Sequence, residues 1–218
     1  MRLTVLAAGL GTRLREQSGG KSKLFLEVGG ATLIDRLLAL ARFLDVTPLI
    51  VTRSRFAADF RATGAEVLVE EKPSSPLDTL YHARDCLRDP FCWVGGDTLF
   101  SDAVPLRGLL ADHLANGGLC SFLYCRTSRF KAKLALEPAP RMKVTHDGGF
   151  LYSMPLFGVH SPAFLDELAE QPRVTSMERA VNRGEQVCFR RYDAPVFEID
   201  TPQDLAEARR HFAAGLEG

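Results

Sequence analysis

Short apolar runs alternate with amphipathic segments of helical length along most of this chain, and no other feature limits its fold so tightly. LTVLA, PLIVT, EVLVEE, FCWV and GLCSFLYC read as strands, and between them lie TLIDRLLALARFL, RFAADFRAT, PLDTLYHARDCL and VPLRGLLADHLANG. In the first of these helical segments Leu33, Leu37, Leu40 and Leu44 recur at helical spacing, with Ile34, Leu38 and Ala41 widening the core-facing stripe. Strands alternating with helices of this length predict a parallel sheet covered by helices. The second half is less regular. KAKLALEP, RMKVT and FLYSMPLFGV read as strands around an HDGG turn, so the sheet is expected to become mixed, with a small subdomain near residues 119–160. Helices are expected at PAFLDELAE, TSMERAVNRG and PQDLAEARRHFAAGL, and strands at QVCFRRY and PVFEI. No linker, repeat or low-complexity tract interrupts the 218 residues, of which 46% are hydrophobic, so residues 1–218 are expected to form one three-layer α/β/α domain.

The charge balance removes several function classes. Lys and Arg number 27 and Asp and Glu 27, which leaves no global field for nucleic acid or an anionic membrane. Any anion site must be local. The five cysteines form no C-x-x-C pair and are odd in number, which fits reduced structural thiols better than a disulfide or zinc framework. The apolar stretch after Arg2 is too short for a signal peptide and is followed at once by Arg13, and no run approaches the roughly 20 apolar residues of a membrane span. A soluble, cytoplasmic protein is expected.

The local anion site announces itself at the N-terminus, where GLGTRLREQSGGKSKL follows the first strand. GGKS is not the end of a Walker A loop, because the position five before Gly20 is Arg15. G-x-G-x-x-G also fails, since Leu14 stands where its third glycine belongs. What remains is a strand, a glycine-rich turn through Gly9 and Gly11, and then cations. Small residues let the backbone approach phosphate oxygens, and Arg13 adds a planar donor. A plain glycine turn with a solvated arginine is the alternative.

In an open parallel sheet ligands bind beyond the carboxyl ends of the strands, so charged residues at strand ends are the candidates. Asp97 follows FCWVGG; a turn aspartate bonding its own backbone is the competing role. In EIDTPQDL, Thr201 suits a helix N-cap, Pro202 the first helical position and Asp204 the third, as in a capping box. Asp200 is left without a capping task. If Asp97 and Asp200 face one crevice, two carboxylates beside a phosphate cradle suit Mg²⁺, which prefers oxygen ligands and shares itself with substrate phosphates. Lys131 and Lys133 alternate on an expected strand, so both could meet an acceptor phosphate, with Lys133 favoured as the deeper of the two; a solvated sheet face is the alternative.

LAAGLGTRL, SKLFLEVGGATLI, GGDTLF and EIDTPQDLAEA, in this order over nearly the whole chain, resemble the sugar-phosphate nucleotidyltransferases, a family with a MobA-like fold that joins phospho-compounds to nucleoside monophosphates. The resemblance implies a nucleotide-binding fold that is Rossmann-like and GT-A-like, and a Mg²⁺-dependent enzyme that releases pyrophosphate. It selects Lys23 over Lys21 as the phosphate-binding lysine, although Ser22 stands where the family usually has proline. Arg13 and Lys23 are then the catalytic cations, with Arg13 on the β- and γ-phosphates and Lys23 near the α-phosphate. Asp97 and Asp200 become the metal ligands. Ala7, Ala8, Gly9, Gly11 and Thr12 bind nucleotide, and Asp78 with Thr79 stand where many relatives carry glycine and threonine near the base. A helix N-terminus carrying Ser75 and Asp78 explains the latter pair equally well. The partners implied are a nucleoside triphosphate and a small phosphorylated acceptor, with a sugar 1-phosphate ahead of phosphocholine-like alcohol phosphates. A regulatory protein that kept the fold without catalysis would not need both aspartates. A glycosyltransferase using a finished nucleotide sugar would not need Arg13 and Lys23 for a leaving pyrophosphate.

Overall fold

The computed structural model describes residues 1–126, 130–137, 140–144, 150–184 and 186–214. Strand β1 (Arg2–Leu6) opens the chain, and a hairpin of β2 (Glu27–Val28) and β3 (Ala31–Thr32) leads into helix α1 (Leu33–Phe43). Next come β4 (Thr47–Thr52), α2 (Ser54–Arg61), β5 (Glu66–Val69) and α3 (Pro76–His82). β6 (Phe91–Gly95) breaks at a glycine pair before β7 (Thr98–Phe100), which is followed by α4 (Val104–Asn116) and β8 (Cys120–Tyr124). The second half holds β9 (Ala132–Ala135), β10 (Arg141–Val144), β11 (Tyr152–Met154) and β12 (Phe157–His160), then α5 (Ala163–Glu167) and α6 (Arg173–Asn182). β13 (Val187–Arg191), β14 (Val196–Glu198) and α7 (Pro202–Ala214) close it.

Seven strands form the central sheet in the order β13-β8-β12-β6-β1-β4-β5. β12 alone runs antiparallel to its neighbours, so the sheet is mixed as expected. The alternation of side chains along the strands supplies two cores. Leu3, Val5, Ile50, Cys92 and Val94 point to the face covered by α1, α2, α4 and α7, whereas Leu49, Val51, Phe91 and Trp93 point to the face covered by α3, α5 and α6. Two buried faces account for strands that read as continuous apolar runs. Helix α1 begins at a Thr32–Asp35 capping box and buries Leu33, Ile34, Leu37, Leu40 and Ala41, its large side chains stabilising the fold by roughly 1.5–3 kcal/mol each.

The irregular half forms a separate antiparallel sheet, β10-β9-β11, over the second core. FLYSMPLFGV is two strands rather than one: β11 ends at Met154 before Pro155, and β12 resumes in the central sheet. The HDGG turn at 146–149 lies outside the described residues. All five cysteines are free, and burial pushes the thiols of Cys92 and Cys120 up to about 12 and that of Cys125 to about 11. Thiols held so far from ionisation are poor nucleophiles, as their structural role requires. Among the described residues no helix is long and apolar enough to cross a membrane.

Candidate active site

β1 pairs with β4 on one side and β6 on the other, so the chain reverses its direction of travel across the sheet at β1. The crevice beyond the carboxyl ends of β1 and β6 lies at this switch point, where such sheets bind ligands. The loop that leaves β1 is held from behind. Ala7 N–H donates to the Val51 carbonyl at 2.8 Å and Thr52 Oγ1 donates to the Ala7 carbonyl at 3.2 Å. Arg53 Nε donates to the Ala8 carbonyl at 2.7 Å, and Arg55 reaches the Leu10 carbonyl at 3.3 Å. Gly11 turns the loop at φ 59°, a left-handed conformation that a side chain disfavours, and starts a 3-10 turn over Thr12–Leu14 that presents Arg13.

A second 3-10 turn, Lys23–Phe25, is started by Ser22, whose hydroxyl accepts the Leu24 N–H. Ser22 has φ −60° and ψ 140°, a backbone conformation that a proline could also adopt, so serine here is compatible with a turn that the resemblance expected to start with proline. Leu24 packs on the glycine turn after β6, where a Cβ on Gly96 would lie 2.9 Å from the Leu6 carbonyl and 3.0 Å from a Leu24 methyl. This close approach of β1, β6 and the lysine turn sets Lys23 opposite Asp97.

Asp200 arrives by a different route. β14 pairs antiparallel with β7, Glu198 opposite Thr98, and the ladder continues as Ile199 N–H donates to the Asp97 carbonyl at 2.9 Å. Asp200 is therefore the next residue beyond the one paired with Asp97. Asp204 caps α7 as expected, accepting from the Thr201 hydroxyl and N–H and also from the Asp200 N–H at 3.2 Å. Its carboxylate thereby fixes the backbone that carries Asp200.

The two aspartates meet at Lys23. Its ammonium donates to Asp97 Oδ2 at 2.7 Å, Asp200 Oδ1 at 2.9 Å and the Ile199 carbonyl at 3.0 Å. Burial draws the Lys23 pKa down, and the two carboxylates outweigh that effect and hold it above its ordinary 10.5. Two carboxylates and a carbonyl gathered about one cation form a hard oxygen donor set, which fits Mg²⁺ with substrate oxygens completing the shell.

Two adjoining cavities of about 360 and 240 Å³ share Leu6, Gly9 and Asp97 in their walls. The first is lined by Ala7, Gly9, Gly11, Thr12, Arg13, Lys23, Asp97, Lys131 and Asp200, and the second by Ala8, Gly9, Ser74, Ser75 and Thr79 among others. Most expected site residues are thus brought together, while Lys21 is exposed on the turn before Ser22. Two expectations need correction. Lys133 is only 4% exposed, in the middle strand of the three-stranded sheet between Lys143 and Ser153, whereas the exposed Lys131 lines the cleft. Asp78 lines neither cavity. It closes the cap of α3 with Ser75 and pairs with Arg173 at 2.6 Å and Gln171 at 3.0 Å. What it does for the cavity is indirect, since it accepts from the hydroxyls of Ser74 and Ser75 in the wall. Arg53 was missed, although it satisfies the same rule as Asp97, a charge standing where a strand stops.

The model of the MobA-like NTP transferase domain family matches residues 3–191. The bifunctional IPC transferase and DIPP synthase of Aquifex aeolicus is 25% identical over 95% of this chain, and the chain spans about half (50%) the length of that curated relative. Among solved structures, a UTP-bound UGPase from Acinetobacter baumannii superposes with a TM-score of 0.82 at 16% identity, covering 100% of this chain and 94% of that one. The inositol-1-phosphate CTP transferase from T. maritima gives 0.73 at 19% identity, with 98% and 96% covered. At these identities the superpositions speak for the fold.

Proposed function

Because the chain belongs to the MobA-like NTP transferase domain family, we propose that it transfers a nucleoside monophosphate from a nucleoside triphosphate to a small phosphorylated acceptor, a sugar 1-phosphate, releasing pyrophosphate. The observation that carries this reading is the convergence of Arg13, Lys23, Lys131, Asp97 and Asp200 on one cleft at the sheet's switch point. The Ala7 N–H is bonded to Val51 and the carbonyls of Ala7, Ala8 and Leu10 are tied behind the loop, so it is the N–H groups beyond Ala7 that meet the phosphate oxygens in this reading. Arg13 holds the β- and γ-phosphates, Lys23 takes the α-phosphate and Lys131 the acceptor phosphate. The nucleoside lies in the second cavity, against Ala8, Ser74, Ser75 and Thr79.

An acceptor phosphate monoester has a second pKa of about 6, so its oxygen is already an anion at neutral pH and no general base is required. The protein's task is to bring an anionic nucleophile in line with an anionic phosphorus, by positioning and by neutralising charge. Asp97 and Asp200 would hold Mg²⁺, which supplies charge neutralisation on the triphosphate. We place the protein in the cytoplasm with its substrates.

A second reading, in which CTP and inositol 1-phosphate are the substrates, is suggested by the likeness to the inositol-1-phosphate CTP transferase from T. maritima. A matrix of the four ribonucleoside triphosphates and dTTP against phosphorylated sugars, inositol phosphate and phosphocholine, scored by pyrophosphate release, separates the two. Activity with a sugar 1-phosphate supports the first reading, activity confined to CTP and an alcohol phosphate supports the second, and no pyrophosphate with any pair contradicts both. Arg13→Ala and Lys23→Ala should weaken the active pair, while Lys21→Ala, on the exposed turn, should behave as wild type.

A further inference from the structure

Lys23 is assigned to the nucleotide in the proposed function, yet all three donors of its ammonium are matched within the protein, by Asp97 Oδ2 at 2.7 Å, Asp200 Oδ1 at 2.9 Å and the Ile199 carbonyl at 3.0 Å. We propose that Lys23 is a resident cation that occupies the Asp97–Asp200 site and keeps a divalent metal out until a triphosphate draws the lysine away, so that metal binding depends on nucleotide binding. This inference rests on the reading of Asp97 and Asp200 as the metal's ligands.

Three observations carry it. First, the oxygens are the same ones. Mg²⁺ requires contacts of about 2.0–2.1 Å to them, and an ammonium between the same oxygens blocks that approach while adding like-charge repulsion. Second, the carboxylates are neutralised in part by a group that cannot diffuse away, because Lys23 is fixed by a 3-10 turn whose next residue, Leu24, is buried against Gly96. Third, the side chain has a place to go. Its stem runs beside the phosphate loop, Cβ, Cγ and Cδ lying 3.7–3.8 Å from where a Cβ on Gly11 would stand. In this proposal the ammonium swings from the carboxylates toward that loop about the outer bonds of the stem. A triphosphate on the loop offers the lysine new anionic partners as it vacates the aspartates, and reciprocity of linkage then requires each ligand to strengthen the other beyond their own chelation in solution.

The test uses Mn²⁺ alone as the probe, with free ion measured by electron paramagnetic resonance and no nucleotide present. Lys23→Met, which keeps the length of the side chain without its charge, should bind Mn²⁺ at least about tenfold more tightly than wild type, and adding Asp97→Asn should abolish the gain. A folded Lys23→Met that binds Mn²⁺ no better than wild type would overturn the proposal. Should that variant fail to fold, nitrogen-15 spectra of the lysine ammonium groups in wild type decide. The Lys23 signal should stay unperturbed by Mg²⁺ alone and shift when Mg²⁺ and a non-hydrolysable nucleoside triphosphate are added together; a shift with Mg²⁺ alone would overturn it. The underlying reading fails in a different way. A Mn²⁺ site in Lys23→Met that survives both Asp97→Asn and Asp200→Asn would mean the metal lies elsewhere, whatever the lysine does.

Discussion

Gly9 lines the cleft and Gly96 is buried in the turn behind it, and alanine should fail at each for a different reason. At Gly9 a Cβ would find nothing within 4 Å, and φ lies outside the left-handed region. The fold therefore has no use for glycine there, and Gly9→Ala should change stability by no more than about 0.5 kcal/mol, the usual range for an exposed site. In a domain of this size that is a Tm shift of about 2 °C or less. If the loop grips phosphate through its backbone, a methyl group on the open side should block one charge-assisted hydrogen bond. The loss is then about 1.5–3 kcal/mol, or roughly a 10- to 150-fold rise in nucleotide Kd. Gly96→Ala should do the reverse. Its Cβ would lie 2.9 Å from the Leu6 carbonyl, a backbone atom locked between β4 and β6, and 3.0 and 3.2 Å from the Leu24 methyls, which can give only in part. Overpacking of this kind costs about 1–3 kcal/mol, a Tm loss of roughly 2–12 °C. Thermal denaturation of the two variants beside titration calorimetry with a nucleoside triphosphate separates the cases. Wild-type nucleotide affinity in Gly9→Ala would mean that the loop does not grip phosphate at Gly9, and a stability loss there above about 1 kcal/mol would mean that the fold itself needs the glycine.

Asn at Asp97 or Asp200 should lower turnover by roughly 10²-fold or more while the fold survives, and EDTA should abolish activity; steady-state rates of pyrophosphate release check both. Lys131→Ala should raise the acceptor KM by about 10-fold or more with the nucleotide KM little changed, whereas Lys133→Ala, at a buried position, should show first as a loss of Tm. Arg173→Ala leaves the part-buried Asp78 carboxylate short of a partner and should cost about 1–3 kcal/mol at neutral pH. Burial pushes the Asp78 pKa up, but the hydroxyls of Ser74 and Ser75 and the Arg173 guanidinium prevail and hold it below its ordinary 3.8. Its contribution is complete above pH 3.8 and is lost as pH falls through the folded value, so denaturation curves of Arg173→Ala and wild type should converge in acid below that pH.

What the sequence disclosed about this molecule was local. β1, its loop and α1 were legible because burial on both faces, glycine punctuation and helical spacing are each properties of a few neighbouring residues. The capping box of Thr201 and Asp204 was legible for the same reason, and removing those residues from consideration left Asp200 as a candidate. That Asp200 reaches Asp97 was not legible. It depends on the β7–β14 ladder, made by backbone groups almost a hundred residues apart that leave no side-chain signature. Of the two roles open to Asp78 the helix cap is the one formed, and its partners Gln171 and Arg173 were not legible because they stand at the start of a helix from the far half of the chain. That Lys131 rather than Lys133 lines the cleft was not legible either, since alternation says which lysines share a face but not which strand becomes the middle of a sheet and covers one of them.

Attack at the α-phosphorus with departure of pyrophosphate can be followed by one labelling measurement. The protein is incubated with Mg²⁺, the accepted phosphorylated acceptor and nucleoside triphosphate carrying ³²P at the α position in one reaction and at the γ position in another. α-Label should appear in a product joining nucleoside monophosphate to the acceptor through a diphosphate bridge, while γ-label should appear in an equal amount of pyrophosphate. Release of γ-label as orthophosphate, or its transfer to the acceptor, would contradict attack at the α-phosphorus.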